Sequence, residues 1–166
     1  GFQNPDTSFG RILDGGNDWN FLSPTPGSSN GSSDIDISVP FTEGWNLVGI
    51  PLYVDNINYQ TLFPEALAGT LYEFDGSYIN SESLVVGNGY WLNMGSEGSE
   101  QMNGYPINSL SITLYEGWNL ISGISTEINI QFIIDPDQVI VGGTFYGFSG
   151  TFENSTSLVP GKGYWV

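Results

Sequence analysis

The sequence predicts an all-β fold: two tandem homologous antiparallel β units, sandwich- or barrel-like, behind an N-terminal strand segment. Aromatic residues make up 14% of the 166 residues, and 23 Gly and 9 Pro supply turns, a balance typical of β proteins. Residues 110–121 alternate apolar and polar side chains, reach a Glu-Gly turn and continue into Trp-Asn-Leu. This pattern predicts two short strands joined by a tight reversal. An earlier copy of it occupies residues 36–48, so the unit is duplicated.

Three anchors align the two copies in the same order. The offset is 73 residues at the first anchor (Gly44 to Gly117) and 74 at the second and third (Tyr72 to Tyr146, Tyr90 to Tyr164). A nearly constant offset is the signature of an internal repeat. The anchors are 44–47 with 117–120, 72–78 with 146–152, and 86–92 with 160–166.

Each anchor has an expected local structure. In the second anchor two aromatic residues flank a polar one at period two, and Gly76 or Gly150 supplies a hairpin turn. In the third anchor the first Gly permits a reversal, and the Trp enters the next strand facing the core. Residues 57–67 have mixed periodicity and predict a single helical turn. Their counterpart 128–139 contains Asp-Pro-Asp, which keeps any helix there short.

The chain is expected to divide into residues 1–33, 34–108 and 109–166. Residues 1–33 hold two short strands and a linker rich in Pro, Gly and Ser. Repeat one spans 34–108 and ends in an additional hairpin, which repeat two, 109–166, lacks. Because an uncovered sheet edge promotes association, we expect the N-terminal strands to cover repeat two, in the same chain or in a neighbour. The alternative is a chain boundary unrelated to the fold.

Two parts of the chain resemble known families. Residues 1–33 resemble the C-terminal end of a lamin-tail domain, with Phe-Gly-Arg at 9–11, Asp-Gly at 14–15, Trp19 and Ser-Pro-Thr-Pro-Gly at 23–27. The Gly-Trp-Asn-Leu, Tyr-x-Phe-x-Gly and Pro-Gly-Lys-Gly-Tyr-Trp motifs resemble tandem β repeats of large secreted bacterial and archaeal surface proteins. Repeat one departs from the third motif, with Val-Gly-Asn at 86–88. The resemblances imply a non-catalytic module of a longer, exported protein.

The composition excludes several functions. Asp and Glu number 18 against two basic residues, Arg11 and Lys162, which gives a net charge of −16. Such a chain repels phosphate, so neither nucleic-acid binding nor binding to an anionic membrane surface is expected. The absence of Cys and His excludes disulfides, ordinary zinc sites and a Ser-His-Asp triad. No apolar run approaches the roughly 20 residues needed to span a bilayer.

The aromatic residues fall into two predicted groups. One group occupies equivalent positions in both repeats, which predicts core anchors rather than ligand contacts; its members are Trp45, Trp91, Trp118 and Trp165. The other group lies near predicted turns and is expected to expose rings on which sugars could stack; its members are Tyr53, Tyr59, Tyr78 and Tyr105.

Acidic residues offer one candidate calcium site with three ligands and two smaller pairs, Asp34 with Asp36 and Asp135 with Asp137. Asp14, Asn17 and Asp18 place three oxygen ligands in a Gly-rich turn, an arrangement suited to calcium. The turn does not match an EF-hand loop, and we expect first of all that these acidic side chains are simply exposed to solvent. Calcium is the one cofactor that the sequence suggests. Glu43 and Glu116 occupy the same turn in both repeats, which indicates a turn role rather than the carboxylate pair of a glycoside hydrolase.

These observations predict a non-enzymatic extracellular module with a structural or adhesive role at the bacterial cell surface. Its specific form would be a filament subunit assembled by β-strand complementation. The expected partners are further copies of the chain or neighbouring domains of a longer one, with polysaccharide as another option and no membrane insertion. The alternative is a carbohydrate-binding module, which predicts coplanar exposed rings; a glycoside hydrolase ranks third.

Overall fold

The computed structural model describes residues 8–11, 19–22 and 34–166. The chain forms two compact units, residues 1–34 and 35–166. In the first unit, β1 (Ser8–Arg11) and β2 (Trp19–Leu22) form a two-stranded antiparallel sheet. Ser8 pairs with Leu22 at one end and Arg11 with Trp19 at the other.

The second unit contains both repeats and confirms the predicted all-β class. Repeat one has β3 (Ile35–Phe41), β4 (Gly44–Val48), β5 (Leu52–Tyr53), the helical turn α1 (Tyr59–Leu62), β6 (Tyr72–Phe74), β7 (Tyr78–Asn80), β8 (Tyr90–Met94) and β9 (Gly98–Pro106). Repeat two has β10 (Leu120–Ser122), β11 (Ile128–Asn129), a 3₁₀ turn (Ile130–Phe132), β12 (Tyr146–Phe148), β13 (Phe152–Asn154), β14 (Ser157–Leu158) and β15 (Gly163–Trp165). The strand pairs are antiparallel, and no sheet of the described residues closes into a barrel.

The two repeats build four-stranded sheets of the same order. Repeat one has the order β4-β8-β6-β7, and repeat two has β10-β15-β12-β13. The register also repeats, because Tyr72 lies opposite Trp91 in one sheet and Tyr146 lies opposite Trp165 in the other. Hairpins β6–β7 and β12–β13 turn at Gly76 and Gly150, whose φ angles are +72° and +87°, as the second anchor predicts.

Repeat one adds a three-stranded sheet, β3-β9-β5. β3 pairs with β9 along its whole length, from Ile35 opposite Gly104 to Phe41 opposite Gly98. The predicted pairing of β3 with β4 is therefore wrong, as is the predicted hairpin after Trp91, because both turns carry the chain from one sheet to the other. The physical reason is burial: both sheets contribute apolar side chains to one core, Val39 from β3 and Leu92 from β8 among them.

The helical turn predicted in repeat one is present as α1, and its N-terminus is capped. The side chain of Asn58 accepts a hydrogen bond from the backbone N–H of Gln60 at 3.1 Å. Asn129 accepts one from Gln131 at 2.9 Å in repeat two. Asp135 and the proline after it limit that turn to three 3₁₀ residues, as the sequence predicts.

Glycines of the third anchor hold the repeats together. The N–H of Gly89 donates to the carbonyl of Leu120 at 2.9 Å. A Cβ atom at Gly89 would lie 2.5 Å from the carbonyl oxygen of Ile121, and one at Gly163 would lie 3.0 Å from that of Val48. Each Gly-x-Gly loop therefore packs on a strand of the other repeat, which explains the second Gly of the motif.

Candidate functional site

Ten aromatic side chains form a cluster on one face of the two four-stranded sheets, nine from the strands and Trp118 from the residues just before β10; we call it the aromatic cluster. Strand alternation directs them there: Tyr90 and Leu92 of β8 are fully buried in the core, so Trp91 between them lies on the opposite face. The cluster comprises Trp45, Tyr72, Phe74, Tyr78 and Trp91 of repeat one and Trp118, Tyr146, Phe148, Phe152 and Trp165 of repeat two.

The rings of the two repeats interdigitate with approximate twofold symmetry. Phe74 of repeat one meets Trp165 of repeat two with ring centroids 4.8 Å apart and planes at 79°. The reciprocal pair, Trp91 with Phe148, has the same 4.8 Å separation and an angle of 76°. Edge-to-face contacts of this kind are favourable for aromatic rings. The aromatic cluster is therefore part of the packing between the repeats.

Two open cavities of similar size lie in the aromatic cluster. The first has a volume of about 440 Å³ and the second about 450 Å³, within the range of small-molecule sites. Phe74, Tyr78, Trp118, Tyr146, Phe152 and Trp165 line the first. Trp45, Tyr72, Tyr78, Trp91 and Phe148 line the second.

The prediction that all four tryptophans lie in the core is wrong for two of them. Trp165 is buried and Trp91 is half-buried, but Trp45 is 43% exposed and Trp118 is 53% exposed. The side chain that points inward in this part of β4 is that of Asn46, which is only 6% exposed. Because adjacent residues of a strand face opposite sides, the Trp45 indole faces the second cavity. The exposed indole of Trp118 lines the first.

The asparagine of Gly-Trp-Asn-Leu holds the turn before it, a role that the sequence reasoning missed. The amide oxygen of Asn46 accepts from the N–H of Thr42 at 3.1 Å, and its Nδ2 donates to the carbonyls of Thr42 and Gly44. Asn119 makes the same bonds to Tyr115 and Gly117. The sequence does carry a signal for this role, because the asparagine recurs at the same position in both repeats.

The four tyrosines predicted as exposed rings do not form one surface. Tyr59 is 3% exposed, because the helical turn directs it inward, and its hydroxyl accepts from the N–H of Gly69 at 2.7 Å. Tyr53 and Tyr105 are half-buried and lie opposite each other in β5 and β9. Tyr78 alone of the four is exposed and lines the cavities, at 57% exposure.

Burial shifts the pKa of three groups near the contact between the repeats. Desolvation raises the pKa of Tyr90 and of Tyr164, whose hydroxyls accept from the backbone N–H groups of Val85 and Val159. Burial lowers the pKa of Lys162, whose ammonium group donates to the carbonyl of Pro40. This lysine therefore joins the two repeats and is not a cavity residue.

The candidate calcium ligands Asp14, Asn17 and Asp18 lie outside the described residues. Within the described ranges, no group of three or more His, Cys, Asp or Glu side chains is placed to hold a metal ion. Calcium binding at the acidic turn therefore stays a prediction from the sequence.

A second candidate surface is formed by residues 110–114 of repeat two, called the open edge. The alternation of these residues predicts a strand, but the structure assigns none to them, because no neighbouring strand among the described residues pairs with them. The anchors align these residues with 37–41 of β3, which pair with β9. In the described part of the chain, no strand pairs with 110–114. The missing strand leaves apolar side chains less buried. Val39 and Phe41 are 0% and 5% exposed, whereas their counterparts Ile112 and Leu114 are half-buried against the core of repeat two.

Repeat two also exposes more apolar side chains than repeat one in the segment after the helical turn. Ile134 is 89% exposed, whereas Phe63, at the same distance from the capping asparagine, is fully buried. In repeat one, Leu67 donates to the carbonyl of Asn93 beyond Trp91. Its counterpart Val141 has no such partner among the described residues and is 69% exposed.

No family model, curated protein or solved structure matches this chain. Among the described residues, no helix has the length and apolar character needed to cross a membrane.

Proposed function

We propose that the chain is a non-enzymatic structural and adhesion module of a secreted bacterial surface protein. In this proposal it acts outside the cell and associates through β-strand complementation at the open edge. The main observation in support is a contrast between the two repeats. β3 pairs with β9 over seven residues, whereas residues 110–114 have no strand partner among the described residues. Unpaired strand edges are templates for added strands.

Repeat one indicates the chemistry of the incoming strand. In β9, Met102 and Gly104 face inward, whereas Gln101 and Asn103 are exposed. An extended segment with this alternation would shield Ile112 and Leu114 and supply backbone hydrogen bonds to the open edge. A further copy of the chain is the donor we favour, with β1 and β2 as the donated hairpin, since a two-stranded sheet alone is only marginally stable.

The position of the proline in β3 supports a choice of the backbone groups that would pair. Pro40 has no N–H and lies in a strand with one neighbour, so its nitrogen is expected to face away from β9. Thr113 is its counterpart in repeat two. The N–H groups of Ile112 and Leu114, one residue to either side, then face the incoming strand, since neighbouring residues alternate.

The proposal is tested by proline substitution, with assembly measured by analytical ultracentrifugation and negative-stain microscopy. We expect the unaltered chain to form concentration-dependent, head-to-tail assemblies. Thr113→Pro should assemble normally, whereas Ile112→Pro should remain monomeric because it removes a pairing donor. Ile112→Ala is the control, since it loses the side chain but keeps the N–H.

Two results would contradict the proposal. One is a monodisperse monomer at every concentration of the unaltered chain. The other is assembly of Ile112→Pro to the same extent as Ile112→Ala. Deleting residues 1–22 tests the donor separately, because assembly that survives this deletion rules out the N-terminal hairpin while leaving the open edge as the acceptor.

A further inference from the structure

We propose that the two cavities of the aromatic cluster each bind the methylated ammonium group of a small organic cation, two per chain. The class of ligand is a quaternary ammonium compound such as choline. This site does not depend on strand complementation, because none of its lining residues belongs to the open edge; Trp118 lies between the open edge and β10, and the others lie in the four-stranded sheets.

The ring geometry favours a cage over a flat platform. Trp118 and Trp165 stand at 87° with centroids 6.4 Å apart, and Tyr78 meets Trp165 at 80° and 6.5 Å. In the second cavity Trp45 and Trp91 stand at 89° and 6.3 Å. Perpendicular rings form walls around a compact group, whereas sugar stacking calls for the coplanar rings that the carbohydrate hypothesis predicted.

The chemistry of the walls points to a cation with an apolar surface. Among the described residues, those that line the two cavities are all aromatic, so their polar groups are limited to tyrosine hydroxyls and indole N–H groups. This set is poor in partners for a ring of sugar hydroxyls. The faces of aromatic rings are negative, and a cation within about 6 Å of a ring centroid is attracted to them.

The charge of the chain supports the same ligand class. Residues 35–166 contain one basic side chain, Lys162, and its ammonium group is held by Pro40 rather than by the cavities. The net charge of −16 for the whole chain raises the local concentration of cations and lowers that of phosphates. A small cation is therefore favoured over the zwitterionic surface of a phosphatidylcholine membrane.

The internal symmetry predicts the stoichiometry. Trp45, Tyr72 and Trp91 of the second cavity are the repeat equivalents of Trp118, Tyr146 and Trp165 of the first. Phe148 of repeat two completes the second cavity, as its equivalent Phe74 of repeat one completes the first. We therefore expect two sites of similar affinity.

The test is isothermal titration calorimetry with choline and with its neutral isostere, 3,3-dimethylbutan-1-ol. Choline should bind with two sites per chain and at least about tenfold more tightly than the isostere, equivalent to about 1.4 kcal/mol. Trp45→Leu or Trp118→Leu should leave one site, and the double variant none. Both indoles are exposed, so the fold should survive. Tyr115→Leu, at a residue that is 74% exposed and outside the cavities, is the control and should keep both sites.

Several outcomes would overturn the proposal. Equal affinity for choline and the isostere would mean simple apolar binding, and unchanged binding in the double variant would place the site elsewhere. Binding of neutral oligosaccharides or of a proline-rich peptide, lost in the double variant while choline fails to bind, would assign the cavities to those ligands. Retention on phosphatidylcholine vesicles without binding of free choline would assign them to a lipid surface.

Discussion

The residues that recur in both repeats perform paired tasks, and the buried tyrosines of the third anchor are the clearest example. Tyr90 and Tyr164 are 0% and 4% exposed, and each hydroxyl accepts a hydrogen bond from the backbone five residues earlier. Both therefore close the loop that contains the Gly-x-Gly segment. Burial raises the pKa of both hydroxyls, because the charged phenolate loses its hydration inside the protein.

This pair predicts a loss of stability in alkali. The pKa of each hydroxyl is raised in the folded state above the ordinary value of 10.0, so the folded state holds these protons more tightly than the unfolded state. The resulting stability is complete below pH 10 and is lost as the pH rises above that value. Urea denaturation between pH 8 and pH 11 should show the decline.

The matched variant is Tyr90→Phe with Tyr164→Phe. It should be less stable at neutral pH by about 1–3 kcal/mol per site, because the N–H groups of Val85 and Val159 lose their acceptors. Its stability should fall less steeply with alkaline pH than that of the unaltered chain. An identical slope would mean that these two hydroxyls do not control the transition.

Sequence reasoning at the residue scale correctly predicted turn glycines and failed on the tryptophans. Positive φ angles at Gly76 and Gly150 follow from local turn chemistry. The exposure of Trp45 follows from the hydrogen bonds of Asn46, which occupy the inward side. Recurrence in both repeats shows that a residue is needed, but it does not distinguish a core from a shared surface.

Among the elements, the loops of the third anchor are the ones that join the repeats. The carbonyl of Gly161 accepts from the N–H of Gly49 at 3.1 Å, and that of Gly87 accepts from Ser122 at 2.9 Å. The serine hydroxyl of Ser125 bridges the repeats as well, since it donates to the carbonyl of Pro51 at 2.5 Å. The repeats are therefore tied through backbone contacts that tolerate little added volume.

Gly89→Ala should weaken this contact. The added methyl group would lie 2.5 Å from the backbone oxygen of Ile121, so one strand must move, at a cost of about 1–3 kcal/mol. Gly142→Ala is the control, because no atom lies within 4 Å of its Cβ position and its φ angle is not positive. Urea denaturation should show a loss for Gly89→Ala alone, and equal stability of the two variants would contradict the assigned role.

Strands β3 and β4 could be predicted from the sequence, whereas their partners could not, and residues 110–114, which alternate in the same way, form no strand. Alternation identified β3 and β4, and the second anchor identified β6 and β7 as a hairpin. The tight turns at Gly44 and after Met94 suggested hairpins as well, but there the chain changes sheets. Period-two patterning reports which face is buried and does not report which strand lies alongside.

On the scale of the whole molecule, duplication produces a surface shared by both repeats and a difference between them that bears on assembly. The shared surface is the aromatic cluster, to which both repeats contribute equivalent rings. The difference is the open edge, because β9 has no counterpart among residues 109–166. The three anchors predict this difference from the sequence, but they do not predict that Ile112 and Leu114 lie half-buried without a paired neighbour.

Hydrogen–deuterium exchange at the open edge, followed residue by residue by NMR, tests strand complementation most directly. On assembly, the amides of Leu110, Ile112 and Leu114 should become protected, whereas those of Ser111 and Thr113 should exchange as before. This alternation follows from the position of Pro40 in β3 and from backbone pairing on one side of a strand. Assemblies in which all five amides exchange as fast as in the monomer would contradict strand addition at this edge.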